Sequence, residues 1–160
     1  MITTILSDFS RVILLPKDKN YKGTLNGLYK ELIERGSPFN FFDYFEFNDE
    51  ILNLYSMLKK KYSINIFTSG TIQNTKEVKE KLGNSFDNVF TAADYQLNKE
   101  DPSAYEFIVK KLGVNPDQIL YIDDEIRDIE AANKARLNTI HYEEFQKLLG
   151  KIKKALNKDY

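Results

Sequence analysis

The chain has 160 residues, enough for one domain with a real core, and 42% of them are hydrophobic against 29% charged. Its 23 basic and 24 acidic side chains leave a formal net charge of -1, which provides no electrostatic footprint for nucleic acid. No cysteine is present, which excludes disulfides, thiolate zinc sites and cysteine nucleophiles, and no apolar run approaches the roughly 20 residues that span a bilayer.

In chain order, "ITTIL" (2–6) is a short apolar, β-branched run, and its continuation "ILSDFSRVIL" (5–14) sets Asp8 and Ser10 between two apolar stretches. Such a carboxylate at a strand end is either a turn residue or a reactive group. "SPFNFFDYFEF" (37–47) concentrates aromatics into what reads as a locally packed cluster. "NDEILNLYSMLKKKY" (48–62) opens on an Asn/Asp capping signal and repeats apolar residues at helical spacing. "INIF" (64–67) is a second strand, and "TIQNTKEVKEKLG" (71–83) predicts a helix ending in Gly. "NVFTA" (88–92) is a weaker strand, and "DPSAYEFIVKKLG" (101–113) has Pro just inside a helix start and Gly at its end. "QILYI" (118–122), "EIRDIEAANKAR" (125–136), "NTIHY" (138–142) and "YEEFQKLLGKIKKAL" (142–156) continue the strand–helix alternation. Short strands with apolar residues on both parities are buried on both faces. Their alternation with helices predicts one α/β domain with a doubly wound, mainly parallel sheet.

In such sheets ligands bind beyond the carboxyl ends of the strands, so the residues that follow each strand matter most. They are "SDFS" (7–10), "TSGT" (68–71) and "DDEIRD" (123–128), joined by "NKEDP" (98–102) ahead of the helix that leads to the fourth strand. Asp8, Asp123 and Asp124 would form a costly cluster of like charges unless a cation or shared protons relieved it. With no cysteine and one histidine, a hard divalent cation such as Mg²⁺ is the natural partner, together with a substrate phosphate. "DD" can equally serve as a helix N-cap. Thr68 and Ser69, at the end of a strand and the start of a helix, offer an anion cradle or a plain cap. Lys99 offers a cation for a phosphate and an ionised Asp8, or is an ordinary surface lysine.

The order "SDFSRVIL", "IFTSGT", "NKEDPSAY", "ILYIDDEIRDIEAA" resembles the four motifs of the haloacid dehalogenase-like (HAD) hydrolase superfamily, over nearly the whole chain and in the expected spacing. The resemblance implies a Rossmann-like fold and an Asp8 nucleophile that forms an aspartyl-phosphate, later hydrolysed by water. It also implies phosphate binding by Thr68, Ser69 and Lys99. Mg²⁺ would be held by Asp8, Asp123, Asp124 and the Ser10 backbone carbonyl, with Asp128 at the site edge. A phosphatase acting on a small phosphorylated metabolite is the expected activity, in a cytoplasmic monomer or homodimer with no nucleic-acid or membrane partner. The chain departs from the family at Ser10, where active phosphatases usually carry a second Asp as general acid/base, and at Arg11, where Gly is usual. A hydroxyl cannot trade protons near neutral pH, a loss that typically costs a factor of about 10² to 10⁴ in rate. Three readings stay open: a phosphatase working without that Asp, a dehalogenase or phosphonatase type of hydrolase, and a weak or inactive relative used for binding or regulation. The segment between the first two motifs has room only for a small helical cap at about 16–47, with its aromatics as cap core. His141 is expected to be structural.

Overall fold

The computed structural model describes residues 1–156. Its main sheet has five parallel strands in the order β5-β4-β1-β6-β7. They are β1 (Thr4–Ser7), β4 (Ser63–Thr68), β5 (Asn88–Thr91), β6 (Ile119–Asp123) and β7 (Asn138–His141). A separate antiparallel pair, β2 (Leu14–Pro16) with β3 (Phe45–Phe47), closes the base of the segment between β1 and β4. That segment carries α1 (Leu25–Glu34) and the single-turn α2 (Phe41–Tyr44). The remaining helices are α3 (Asp49–Leu58), α4 (Lys76–Leu82), α5 (Pro102–Leu112), α6 (Ile126–Lys134) and α7 (Phe145–Ala155).

Both faces of the sheet are covered, which is why its strands are apolar on both parities. Ile5, Ile64, Ile66, Leu120 and Ile122 face a core with Ile51, Leu54, Tyr55 and Leu58 of α3 and Leu148 and Ile152 of α7. Their neighbours Leu6, Phe67, Ile119 and Tyr121 face the other core, with Ala104, Tyr105 and Ile108 of α5 and Ile129, Ala131 and Ala132 of α6. The first core runs without interruption into the inserted segment through Leu25, Leu32, Phe41 and Phe45. There the aromatics pack on one another: Phe41 stacks on Phe45 at 4.6 Å, and Tyr29 meets Phe39 edge-on at 6.0 Å.

One predicted element differs. The sequence predicts an unbroken helix over 71–83, but the chain makes a 3₁₀ turn at Ile72–Asn74, extends at Thr75 and only then enters α4, capped by the Thr75 hydroxyl on Val78 N–H. The cause is distant: Asn26 Oδ1 of α1 accepts from both Thr71 N and Ile72 N at 2.9 Å. Among the described residues no helix is long and apolar enough to cross a membrane.

Candidate active site

Strand register brings the site together. Ser7 pairs with Ile66 on one side and Ile122 on the other. The next residues along are therefore Asp8, Phe67 and Asp123, and Thr68 follows one place on. Because all strands are parallel, these groups leave the sheet at the same edge. Two contacts fix the start of the loop after β1: Asp8 N–H donates to Ile122 O at 2.8 Å, and Ser7 Oγ donates to Asp8 O at 2.8 Å. The Tyr55 hydroxyl of α3 donates to Ser7 Oγ at 2.8 Å from below.

Lys99 is the centre of the cluster. Its Nζ lies 2.8 Å from Asp8 Oδ1, 2.8 Å from Asp123 Oδ2 and 3.2 Å from Asp128 Oδ2, with 5% of the residue exposed. Asp123 is fully engaged: Tyr121 O–H also donates to Oδ2, and Glu125 N–H donates to Oδ1 at 2.8 Å. Tyr105 O–H in turn donates to Tyr121, so a buried line of hydroxyls runs beneath the site. Asp124 is half-buried beside them, and a ring nitrogen of His141 meets its backbone carbonyl at 2.8 Å. One carboxylate oxygen from each of Asp8, Asp123 and Asp124 falls within 4.8 Å of the others.

These neighbours shift the charges. Burial drives the Asp8 carboxyl up to about 8; Lys99 pulls it down, while Asp123 and Asp124 push it further up. Burial, then the charges of Asp123 and Glu125, lifts Asp124 to about 7. Asp128 reaches about 6, raised first by burial and then by Asp123, against Lys99. Burial works against the charge of Lys99, but Asp8, Asp123 and Asp128 outweigh it and hold the amine well above its ordinary value. The fold thus buries more negative than positive charge at this edge, and the surplus sits on Asp8 and Asp124. That donor set, all oxygen with a carboxylate surplus, suits a hard divalent cation such as Mg²⁺.

A cavity of about 190 Å³ opens above the cluster. Asp8, Ser10, Lys99, Asp124 and Asp128 form its floor and one side, and Thr68 and Ser69 close another. Every site residue singled out from the sequence except Asp123 faces this one cavity; Asp123 lies beneath it, completely buried. Ser10 Oγ is buried without a hydrogen-bond partner. The far wall comes from the inserted segment, through Lys22, Gly23, Thr24, Leu25 and Asn26, with Arg11 at the junction. None of the aromatics at 37–47 reaches the cavity. Tyr121 and Tyr105 were not singled out in the sequence, because a tyrosine in an apolar run reads as core. Asn26 and Lys22 carried no local signal either.

The family model of haloacid dehalogenase-like hydrolases matches residues 18–142. The chain belongs to the haloacid dehalogenase-like hydrolase family. The matched span includes Thr68, Ser69, Lys99, Asp123 and Asp124, and begins after Asp8 and Ser10. A relative named (S)-2-haloacid dehalogenase 4A, from Burkholderia cepacia, is 26% identical over 132 residues, covering 81% of this chain and 52% of its own. Enolase-phosphatase E1 of Zygosaccharomyces rouxii is 28% identical over 97 residues, covering 52% of this chain and 43% of its own. The chain thus spans about half the length of these curated relatives. Among solved structures, a HAD family enzyme of Bacteroides thetaiotaomicron in complex with magnesium and inorganic phosphate superimposes with a TM-score of 0.63 at 14% identity, over 92% of this chain and 99% of that one. That likeness is one of fold. It agrees with the five-stranded parallel sheet and its flanking helices described above.

Proposed function

We propose that the protein is a Mg²⁺-dependent phosphomonoester hydrolase that works through an aspartyl-phosphate on Asp8. The observation that carries this reading is Lys99 bridging Asp8, Asp123 and Asp128 beside Asp124, in one cavity with Thr68 and Ser69. Asp8, Asp124 and the Ser10 carbonyl would hold the ion, with Asp123, whose two oxygens are already taken, behind them. Bound Mg²⁺ supplies the charge that keeps these carboxylates ionised and offsets the phosphoryl dianion. Lys99 steadies the Asp8 carboxylate through Oδ1 and leaves the other oxygen to meet phosphorus. The Asp8–phosphorus bond forms as the ester P–O bond breaks, and the alkoxide leaves and takes a proton from water. Water then attacks phosphorus, frees inorganic phosphate and restores Asp8. Thr68, Ser69 and Lys99 hold the phosphoryl oxygens. The segment at 16–47 acts as the cap over this site.

Ser10 has no proton to exchange near neutrality, so the leaving alkoxide must take its proton from water, which slows alkyl esters relative to aryl esters without barring them. The test is release of p-nitrophenol from p-nitrophenyl phosphate. Turnover should require Mg²⁺ and fall by roughly 10³-fold or more in Asp8→Asn. Ser10→Asp should raise turnover of an alkyl phosphate by roughly 10²-fold. No Mg²⁺-dependent turnover and no Mg²⁺ binding by calorimetry would instead favour a binding role. The kinship with the haloacid dehalogenase and the hydroxyl at Ser10 support a second reading, hydrolytic dehalogenation. Metal-independent chloride release from (S)-2-chloropropionate is its signature.

A further inference from the structure

Arg11 has a φ of 62°, in the left-handed region where glycine sits freely and an L side chain is strained by about 1 kcal/mol. Its side chain is fixed at the cavity mouth: Nη2 donates to Tyr21 O at 2.9 Å and to Gly23 O at 2.7 Å. Among the described residues its Nη1 and Nε make no hydrogen bond, and the nearby Lys22 has no carboxylate partner. Asn26 then ties the same wall to the amides of Thr71 and Ile72, one residue beyond Thr68 and Ser69 across Gly70, so the basic wall is anchored to the phosphoryl cradle. The cavity is polarised as a result. Asp8, Asp124, Glu125 and Asp128 lie on the sheet and α6 side with Lys99 paired among them, and two further cations with unused donors, Arg11 and Lys22, lie on the side of the insertion.

We propose that the substrate's leaving group carries a carboxylate, and that Arg11 and Lys22 recognise it. This rests on the phosphohydrolase reading and narrows it. A phosphoryl group set over Asp8 leaves its ester oxygen and the carbons beyond to extend toward the mouth, where a planar guanidinium meets a carboxylate with paired hydrogen bonds. A short-chain phosphorylated hydroxy acid fits a cavity of about 190 Å³ and places its carboxylate at the mouth. A neutral leaving group would leave both cations unpaired.

The experiment compares 3-phosphoglycerate with glycerol 3-phosphate, two esters that differ by a carboxylate against a hydroxymethyl group. Calorimetry on the Asp8→Asn protein in Mg²⁺ reads binding without turnover. The carboxylate ester should bind about tenfold tighter or better, and this ratio should fall toward one when Arg11→Gly or Lys22→Ala is added. Arg11→Gly removes the strained side chain at a φ of 62° that glycine adopts freely, and an unchanged circular dichroism spectrum checks that the fold is kept; Arg11→Lys should recover part of the ratio. If Arg11 were only a latch for 21–23, its removal would weaken both esters alike and leave the ratio unchanged. Equal affinities, a ratio that neither substitution moves, or no binding of either ester at millimolar concentration would overturn the proposal. Turnover of p-nitrophenyl phosphate by the unaltered protein tells, independently, whether the phosphohydrolase reading falls with it.

Discussion

Asp8, Asp124 and Asp128 are held above the ordinary carboxyl value of 3.8, at about 8, 7 and 6. The folded chain therefore binds more protons than the unfolded chain between about pH 4 and pH 8, so stability falls as pH rises through that window. Lys99 titrates far above it and does not change the slope. In EDTA the melting temperature should be several degrees higher at pH 5.5 than at pH 8, and Mg²⁺ should narrow the gap because it favours the ionised carboxylates. A melting temperature in EDTA that rises over the same interval would contradict the charge balance described for the site. Asp8 and the Asp pair were legible in the sequence because the fold class brings the residues after parallel strands to one edge, whereas Lys99, which follows no strand directly, was legible through the resemblance of "NKEDPSAY" to a family motif. The full engagement of Asp123 was not, since it depends on a Tyr121 hydroxyl that reads as part of an apolar strand.

Among the elements, five sheet strands could be read from short runs buried on both faces, but β2 and β3 could not. Each is three residues long, and β2 ends in proline, which offers neither a period nor a ladder donor. The broken helix at 71–83 was equally hidden, because the residue that breaks it lies 45 positions upstream of Thr71. Gly70 permits that contact: a Cβ there would collide with the Asn26 amide group. Asn26→Ala should cost about 1–2 kcal/mol by stranding two amide donors. Gly70→Ala should cost a similar amount by pushing the same amide away. Because both remove one interaction, the double variant should cost little more than either alone in urea unfolding. Full additivity would mean that the clamp is not what Gly70 protects.

At the scale of the whole molecule, the inserted segment shares one buried core with the central sheet. Phe45, Phe41 and Leu25 belong to the same buried cluster as Ile5, Ile64 and Leu120 of the central strands. Phe45→Ala, at a fully buried position, should lower the stability of the entire chain by about 3–5 kcal/mol. Unfolding should remain a single calorimetric transition whose van't Hoff and calorimetric enthalpies agree. An early transition confined to the insertion would show that the shared cluster does not couple the two parts. This continuity keeps Arg11, Lys22 and Asn26 in register with a site built on the opposite side of the cavity.

The tripod around residue 99 also gives this amine a chemical fate different from that of the other lysines. An acylating reagent needs the uncharged form, and the three carboxyl groups around Lys99 hold its amine charged and leave almost none of it. Succinimidyl acetate should label solvent-facing amines such as those of Lys30 and Lys76 within minutes and spare Lys99. Modification there, read by peptide mass, would then count the moments when the ring of carboxylates comes apart.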